Sequence, residues 1–131
     1  VASFGRFDAL LDARAGGPFA QARATATYSR SDDYEDGSGR VVHSAYKRWS
    51  ANAEAIWTPR DTTLVEVAAA RSDGEAAYAD RAMDGVRFDR TSARLRFRQD
   101  NLSPLVTRAE VRAYRNYVDH VMDNYTLRPF V

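Results

Sequence analysis

Cysteine is absent from the sequence, so no disulfide framework and no thiolate metal site can form within these residues. Long hydrophobic runs are missing too: no window approaches the roughly 18 consecutive apolar residues of a membrane helix, and a helical span is excluded. The stretch Val1 to Arg14 carries Arg6, Asp8 and Asp12 inside its only apolar segment and is not expected to act as a secretion signal. Any export signal is expected on sequence outside these residues. Neither charge sign dominates, with 19 basic residues against 18 acidic ones, and the basic stripe of a nucleic-acid binder is lacking. Lysine is nearly absent, Lys47 being the single example. An arginine-only basic set suits two-point contact with carboxylates in a polar lumen or with phosphorylated lipid, though a GC-rich coding bias explains it as well. Catalytic patterns are missing: no Gly-x-Ser-x-Gly occurs, and Gly16-Gly17 is a turn without the following helix that a phosphate loop needs. No enzymatic activity is expected.

What the sequence does have is period two. From Ala20 to Ser29, Ala20, Ala22, Ala24, Ala26 and Tyr28 alternate with Gln21, Arg23, Thr25, Thr27 and Ser29. Successive side chains of a strand point to opposite faces, so this segment has one apolar and one polar face. Alanine prefers helix, but wound as a helix these residues would scatter polar groups around the whole axis. The next segment places Trp49, Ala51, Ala53, Ala55 and Trp57 on one face and Arg48, Ser50, Asn52, Glu54 and Ile56 on the other. The two tryptophans are eight residues apart, about 26 Å at roughly 3.3 Å per residue. At a tilt of about 40° they span some 20 Å of membrane normal, near the height of the apolar band between the aromatic girdles of a barrel. Indoles settle at both headgroup interfaces, which accounts for small residues between two terminal tryptophans.

Weaker alternation runs over residues 6–15, 63–70, 93–98 and 108–114. The last two polar faces carry Arg94, Arg96, Arg98, Arg108 and Arg112, and Glu110 is expected to neutralise one of them across the ladder. Connections alternate in length. Short turns fall at Gly16-Gly17-Pro18, Pro59-Arg60-Asp61 and Asn101-Leu102-Ser103-Pro104, with the residue types tight turns require. Long connections are expected from about Ser31 to Tyr46, from about Ser72 to Arg87, and onward from near Tyr117. Short turns at one end and long loops at the other are the pattern of outer-membrane barrels. The expected fold is all-β: an antiparallel up-and-down meander of about six long strands, part of a transmembrane β-barrel. Six strands are too few to close, and the chain ends at Thr126-Leu127-Arg128-Pro129-Phe130-Val131 as though interrupted. Residues 1–131 are therefore expected to be one segment of a partial outer-membrane barrel domain, with the remaining strands elsewhere.

Only His43 and His120 are available as imidazole ligands. His120 and Met122 share strand parity with Arg108, Glu110, Arg112 and Tyr114, so both are expected to face the lumen near its extracellular mouth. Imidazole with thioether is a soft pair suited to copper, Cu(I) above all. On spacing alone, an interior histidine hydrogen-bonded to Asp119 or Asn116, with Met122 as filler, is the favoured account of so short a pattern. The acidic run Asp32-Asp33-Tyr34-Glu35-Asp36-Gly37 places Tyr34 where a calcium loop needs an oxygen ligand, and reads as a solvated loop. His43 and Met83 are expected in external loops, with an auxiliary copper contact as a remote alternative.

The run Asn116-Tyr117-Val118-Asp119-His120-Val121-Met122-Asp123-Asn124-Tyr125-Thr126-Leu127-Arg128 resembles a segment of the TonB-dependent copper receptors of Gram-negative outer membranes. Two further stretches, Met83 to Thr91 and Arg98 to Pro104, resemble it in matching order. The resemblance implies an outer-membrane location, a barrel set in lipid around an N-terminal plug, and import powered through TonB by way of that plug. It implies that His120 and Met122 are the barrel-side copper ligands, completed by a Cys-x-x-x-Met pair of the plug that this sequence does not contain. Two other functions are compatible with the pattern. One is a receptor for a siderophore or other anionic metal chelate, with the arginines as its contacts. The other is a soluble β-sheet binding module, which requires the Trp49 and Trp57 face to pack against a second layer of the same protein.

Overall fold

The computed structural model describes residues 4–129. Residues 1–3 and 130–131 fall outside them, and with them the two ends of the expected 1–131 segment.

Each stretch of period-two alternation becomes a strand, because only an extended backbone puts the alanines on one side and the charges on the other. The strands are β1 (Phe7–Gly16), β2 (Ala20–Ser31), β3 (Tyr34–Glu35), β4 (Val41–Val42), β5 (Tyr46–Arg60), β6 (Thr63–Ala76), β7 (Asp84–Asp100) and β8 (Arg108–Asp123). Six of them form one antiparallel sheet in the order β1-β2-β5-β6-β7-β8, and β3 and β4 pair as a separate small hairpin within the β2–β5 connection. The all-β antiparallel meander of six long strands is the architecture expected.

One of the long connections is shorter than expected, and another starts later. Strand β6 continues to Ala76 and β7 already begins at Asp84, leaving only residues 77–83 between them, and β8 runs on past Tyr117 to Asp123. In these extensions the ladder persists while the apolar face gives out: Asp73 and Glu75 replace the alanines of β6, and Arg87 and Asp89 replace those of β7. With both faces polar, the alternation that marks a strand disappears although the backbone pairing does not. The β6–β7 and β7–β8 registers also slip near Val86, where Gly85 pairs with Met122 and Arg87 with Val121. Such a bulge inserts one residue and flips the facing of everything beyond it.

One face carries rows of small and apolar residues, as in Ala13–Ala24–Ala53–Ala69–Ala93, which lie side by side across five strands. The other carries most of the charges, although Arg71 and Arg115 lie on the apolar face, opposite Ala51 and Ala93. No second layer covers the apolar face: among the described residues Ala77 is the one buried hydrophobic side chain, and Trp49 and Trp57 are 37 % and 54 % exposed. A self-contained sheet module would have enclosed those indoles in its own core, and this arrangement does not.

The rows are slanted. The row through Gly16, the last residue of β1, runs Gln21, Ile56, Glu66, Arg96 and Arg112, four residues in from the start of β8 at Arg108. The apolar-face aromatics at the opposite end repeat the offset: the row through Tyr117 on β8 meets β1 at Leu11, four residues from Phe7, with Tyr28 and Trp49 between. Four residues at about 3.3 Å against five strand spacings of about 4.8 Å correspond to a strand tilt of about 30° if the short turns lie in one plane. Tilt and stagger of this kind are what closing a sheet into a barrel demands.

Candidate functional site

On the charged face of β6, β7 and β8 the arginines are interleaved with carboxylates. Glu110 takes Arg96 at 3.0 Å and Arg112 at 2.5 Å, Glu66 takes Arg94 at 2.6 Å and Arg96 at 3.5 Å, and Asp100 takes Arg108 at 2.5 Å and Arg98 at 3.3 Å. Asp12 does the same for Arg14 and Arg23 between β1 and β2. Glu110 thus neutralises an arginine across the ladder as expected, with Glu66 and Asp100 as further partners. Arg48 and Arg90 on this face make no ion pair among the described residues.

His120 and Met122 both lie in β8, two residues apart, on the face that carries Glu110 and Arg112 and toward the end bearing the long connections. Their cross-strand neighbours shape the site. Phe88 is directly opposite His120, and the two rings stack with centroids 4.5 Å apart and planes at 28°. Gly85 is opposite Met122, and the space a side chain would fill there is occupied by the Phe88 ring. The hydrogen-bonded alternative for His120 finds no support among the described residues: Asp119 faces the other side, where it accepts Arg87 at 3.1 Å, and no bond joins the imidazole to Asn116. Nor does any cluster of three or more His, Cys, Asp or Glu suited to a metal occur among them. The chain offers one imidazole and one thioether here, two donors that leave the rest of a coordination sphere to other groups.

A second constellation stands beside this pair and was not visible in the sequence. Asp84, at the start of β7, is completely buried and collects four hydrogen bonds. Arg128 grips it with two nitrogens, Nε at 2.7 Å from Oδ2 and a terminal nitrogen on Oδ1. His43 Nε2 donates at 2.9 Å and the Tyr78 amide at 2.9 Å. Arg128 further donates to the carbonyls of Tyr78 and Arg81 at 3.1 and 3.0 Å. The Arg128 guanidinium, helped by His43 and the Tyr78 amide, holds the Asp84 carboxyl well below the usual carboxylate range, although burial alone would push it up. His43 is therefore not plain loop surface, as expected, but half-buried and engaged with Asp84. Met83 is an exposed residue of the 77–83 loop. The charge and spacing of Asp84 and Arg128 gave no signal, because 44 residues separate them.

The acidic run 32–37 is not a plain solvated loop: it holds the short strand β3 within the β2–β5 connection, and carboxylates cap the turns around it. Asp36 accepts the Ser38 and Arg40 amides at 2.9 and 3.0 Å and the Ser38 hydroxyl at 2.7 Å, while Asp33 accepts the Ser44 and Ala45 amides, both at 2.8 Å. These bonds, led by the Ser38 hydroxyl, draw the Asp36 carboxyl below its ordinary range. They engage Oδ1 of Asp36 and of Asp33, and Arg40 Nε donates to Asp36 Oδ2 at 3.1 Å.

No family model matches the sequence, and no curated protein does. Among solved structures the chain is similar to one titled copper transporter OprC, with 48 % identity, a TM-score of 0.81 and 96 % of this chain aligned. The alignment covers 19 % of that structure, so the chain spans about a fifth of its length. At this likeness the six-stranded meander has the fold of a β-barrel segment of a copper transporter.

Proposed function

We propose that the chain is a wall segment of an outer-membrane copper-uptake receptor, with His120 and Met122 as two copper ligands on the lumen side. The observation that carries this reading is the placement of a soft imidazole–thioether pair on the charged face of a sheet whose fold is that of a copper transporter. The uncovered alanine rows, with aromatics along a slanted line at one end and Trp57 and Phe97 toward the other, fit contact with hydrocarbon between two headgroup regions. The charged face then lines a wet interior. In this reading the remaining copper ligands come from a plug domain, and movement of that plug, driven through TonB, releases the ion inward. Copper is cargo, and no bond is made or broken in it beyond ligand exchange.

The test is copper binding by the full-length receptor that carries this segment. His120→Ala and Met122→Ala are each expected to lower copper affinity by about tenfold or more, read by competition with a chromophoric Cu(I) chelator. Unchanged affinity and stoichiometry in both variants would reject the ligand role.

Arg48 and Arg90, without an ion pair among the described residues on the same face, favour a second reading in which the cargo is an anionic metal chelate. Elemental analysis of receptor purified without added chelator separates the two, since copper retained in that state is expected from the first reading alone.

A further inference from the structure

We infer that Phe88 is a positioning residue for the His120–Met122 pair, an aromatic wall that fixes the imidazole so that its ring nitrogens are presented to the ion. The inference rests on the ligand reading above and names a residue that the reading does not include. Three observations carry it.

The first is the contact itself. Phe88 and His120 are cross-strand partners, and their rings lie nearly flat on one another at 4.5 Å. An imidazole stacked on a phenyl face has its rotation about the Cβ–Cγ bond restricted, while both nitrogens stay at the uncovered ring edge. The His120 imidazole makes no hydrogen bond among the described residues. The usual device for orienting a ligating histidine, a carboxylate or carbonyl on its other nitrogen, is therefore missing, and the stack stands in its place.

The second is the glycine. Gly85 is opposite Met122, and a Cβ built on it would collide with the far edge of the Phe88 ring. The bulge at Val86 turns Gly85 onto the same face as Phe88, so one phenyl ring covers the glycine opposite Met122 and stacks on His120. Any side chain at position 85 would displace the ring from His120.

The third is the anchoring of Phe88. Its amide donates to Asp73 Oδ1 at 3.0 Å, and the same oxygen takes the Gly74 amide at 2.7 Å, which ties the bulged part of β7 to β6. A wall must itself be held, and this one is. An apolar ring against the site also keeps water from one side of a soft cation, which favours thioether and imidazole over oxygen ligands.

The experiment is a double-mutant cycle in the full-length receptor, using Cu(I) with a chromophoric competitor chelator and X-ray absorption at the copper edge. Phe88→Leu is expected to weaken Cu(I) binding by about tenfold and to reduce the nitrogen contribution to the first shell relative to sulfur. Phe88→Tyr, which keeps the aromatic face, is expected to retain both. Gly85→Ala is expected to behave like Phe88→Leu. In a His120→Ala background Phe88→Leu is expected to add no further loss, because its effect passes through the imidazole. Wild-type affinity in Phe88→Leu, or a full further loss in the His120→Ala background, would overturn the inference. A His120→Ala receptor that binds copper as the wild type does would remove the ligand reading and this inference with it.

Discussion

Asp84 joins three segments far apart in sequence: His43 ahead of β5, Tyr78 in the loop after β6, and Arg128 beyond β8. Its carboxyl lies below the ordinary carboxylate range in the folded chain, so the ionised form is the one the fold stabilises. The sign follows: this contribution is complete at any pH above the unfolded value of about 4 and is lost as pH falls below it toward the lower folded-state value. Amide exchange in residues 77–83, corrected for intrinsic rates, is expected to be slow and constant from neutrality down to about that point and to rise in stronger acid. Asp84→Asn keeps the shape and removes the charge. It is expected to exchange about tenfold faster at neutral pH, and to show a weaker acid dependence. Equal protection in the two chains would show that the carboxylate holds nothing. Of this cluster nothing was legible in advance, because the bulge at Val86 and the return of Arg128 are matters of register and path. His120 and Met122 were legible as a same-face pair, since β8 runs without interruption from Arg108 to Asp123 and two residues in a strand always share a face. Their neighbours Phe88 and Gly85 were not. Counting parity along β7 puts those two on opposite sides, and the inserted residue at the bulge brings them together.

Among the elements, β2 and β5 show how far alternation reads. Their apolar rows are matched residue for residue, Ala22 with Ala55, Ala24 with Ala53 and Ala26 with Ala51, while Thr27 and Ser50 hydrogen-bond at 2.7 Å on the other face. Where both faces are polar, in the outer parts of β6 and β7, the sequence carried no strand signal and their connection was expected to be longer than it is. The hairpin of β3 and β4, two residues each, was likewise too short to register. The two faces of β5 yield a contrast that can be measured. Ala53→Arg sets a charge in the middle of the apolar face and is expected to cost about 2–4 kcal/mol of folding free energy in a lipid bilayer, the usual cost near a membrane midplane. Asn52→Arg, one residue away, is expected to change stability little. Denaturant unfolding of the full-length receptor in bilayers measures both, and equal costs would sink the assignment of the faces.

Taken whole, the described chain has an outside on both sides. A six-stranded sheet with one buried apolar side chain draws almost nothing from a core of its own, and its long strands β1 and β8 each have one edge without a partner among the described residues. In the membrane reading proposed above, hydrocarbon on the alanine face and neighbouring strands at the edges supply what holds it ordered. Purified alone without detergent, the 131-residue chain is therefore expected to self-associate through those edges and to give no cooperative unfolding transition as a monomer. Size-exclusion chromatography with circular dichroism decides it, and a monodisperse, cooperatively melting monomer would contradict the membrane reading.

The knot of bonds at one buried carboxylate has a mechanical corollary. Since a single side chain ties down the tail of β8, the 77–83 loop and the link into β5, none of the three can swing aside by itself. If, as proposed, the segment lines a pore whose mouth widens for cargo, these pieces would lift together as one hinged flap, and breaking the grip of Arg128 would free them.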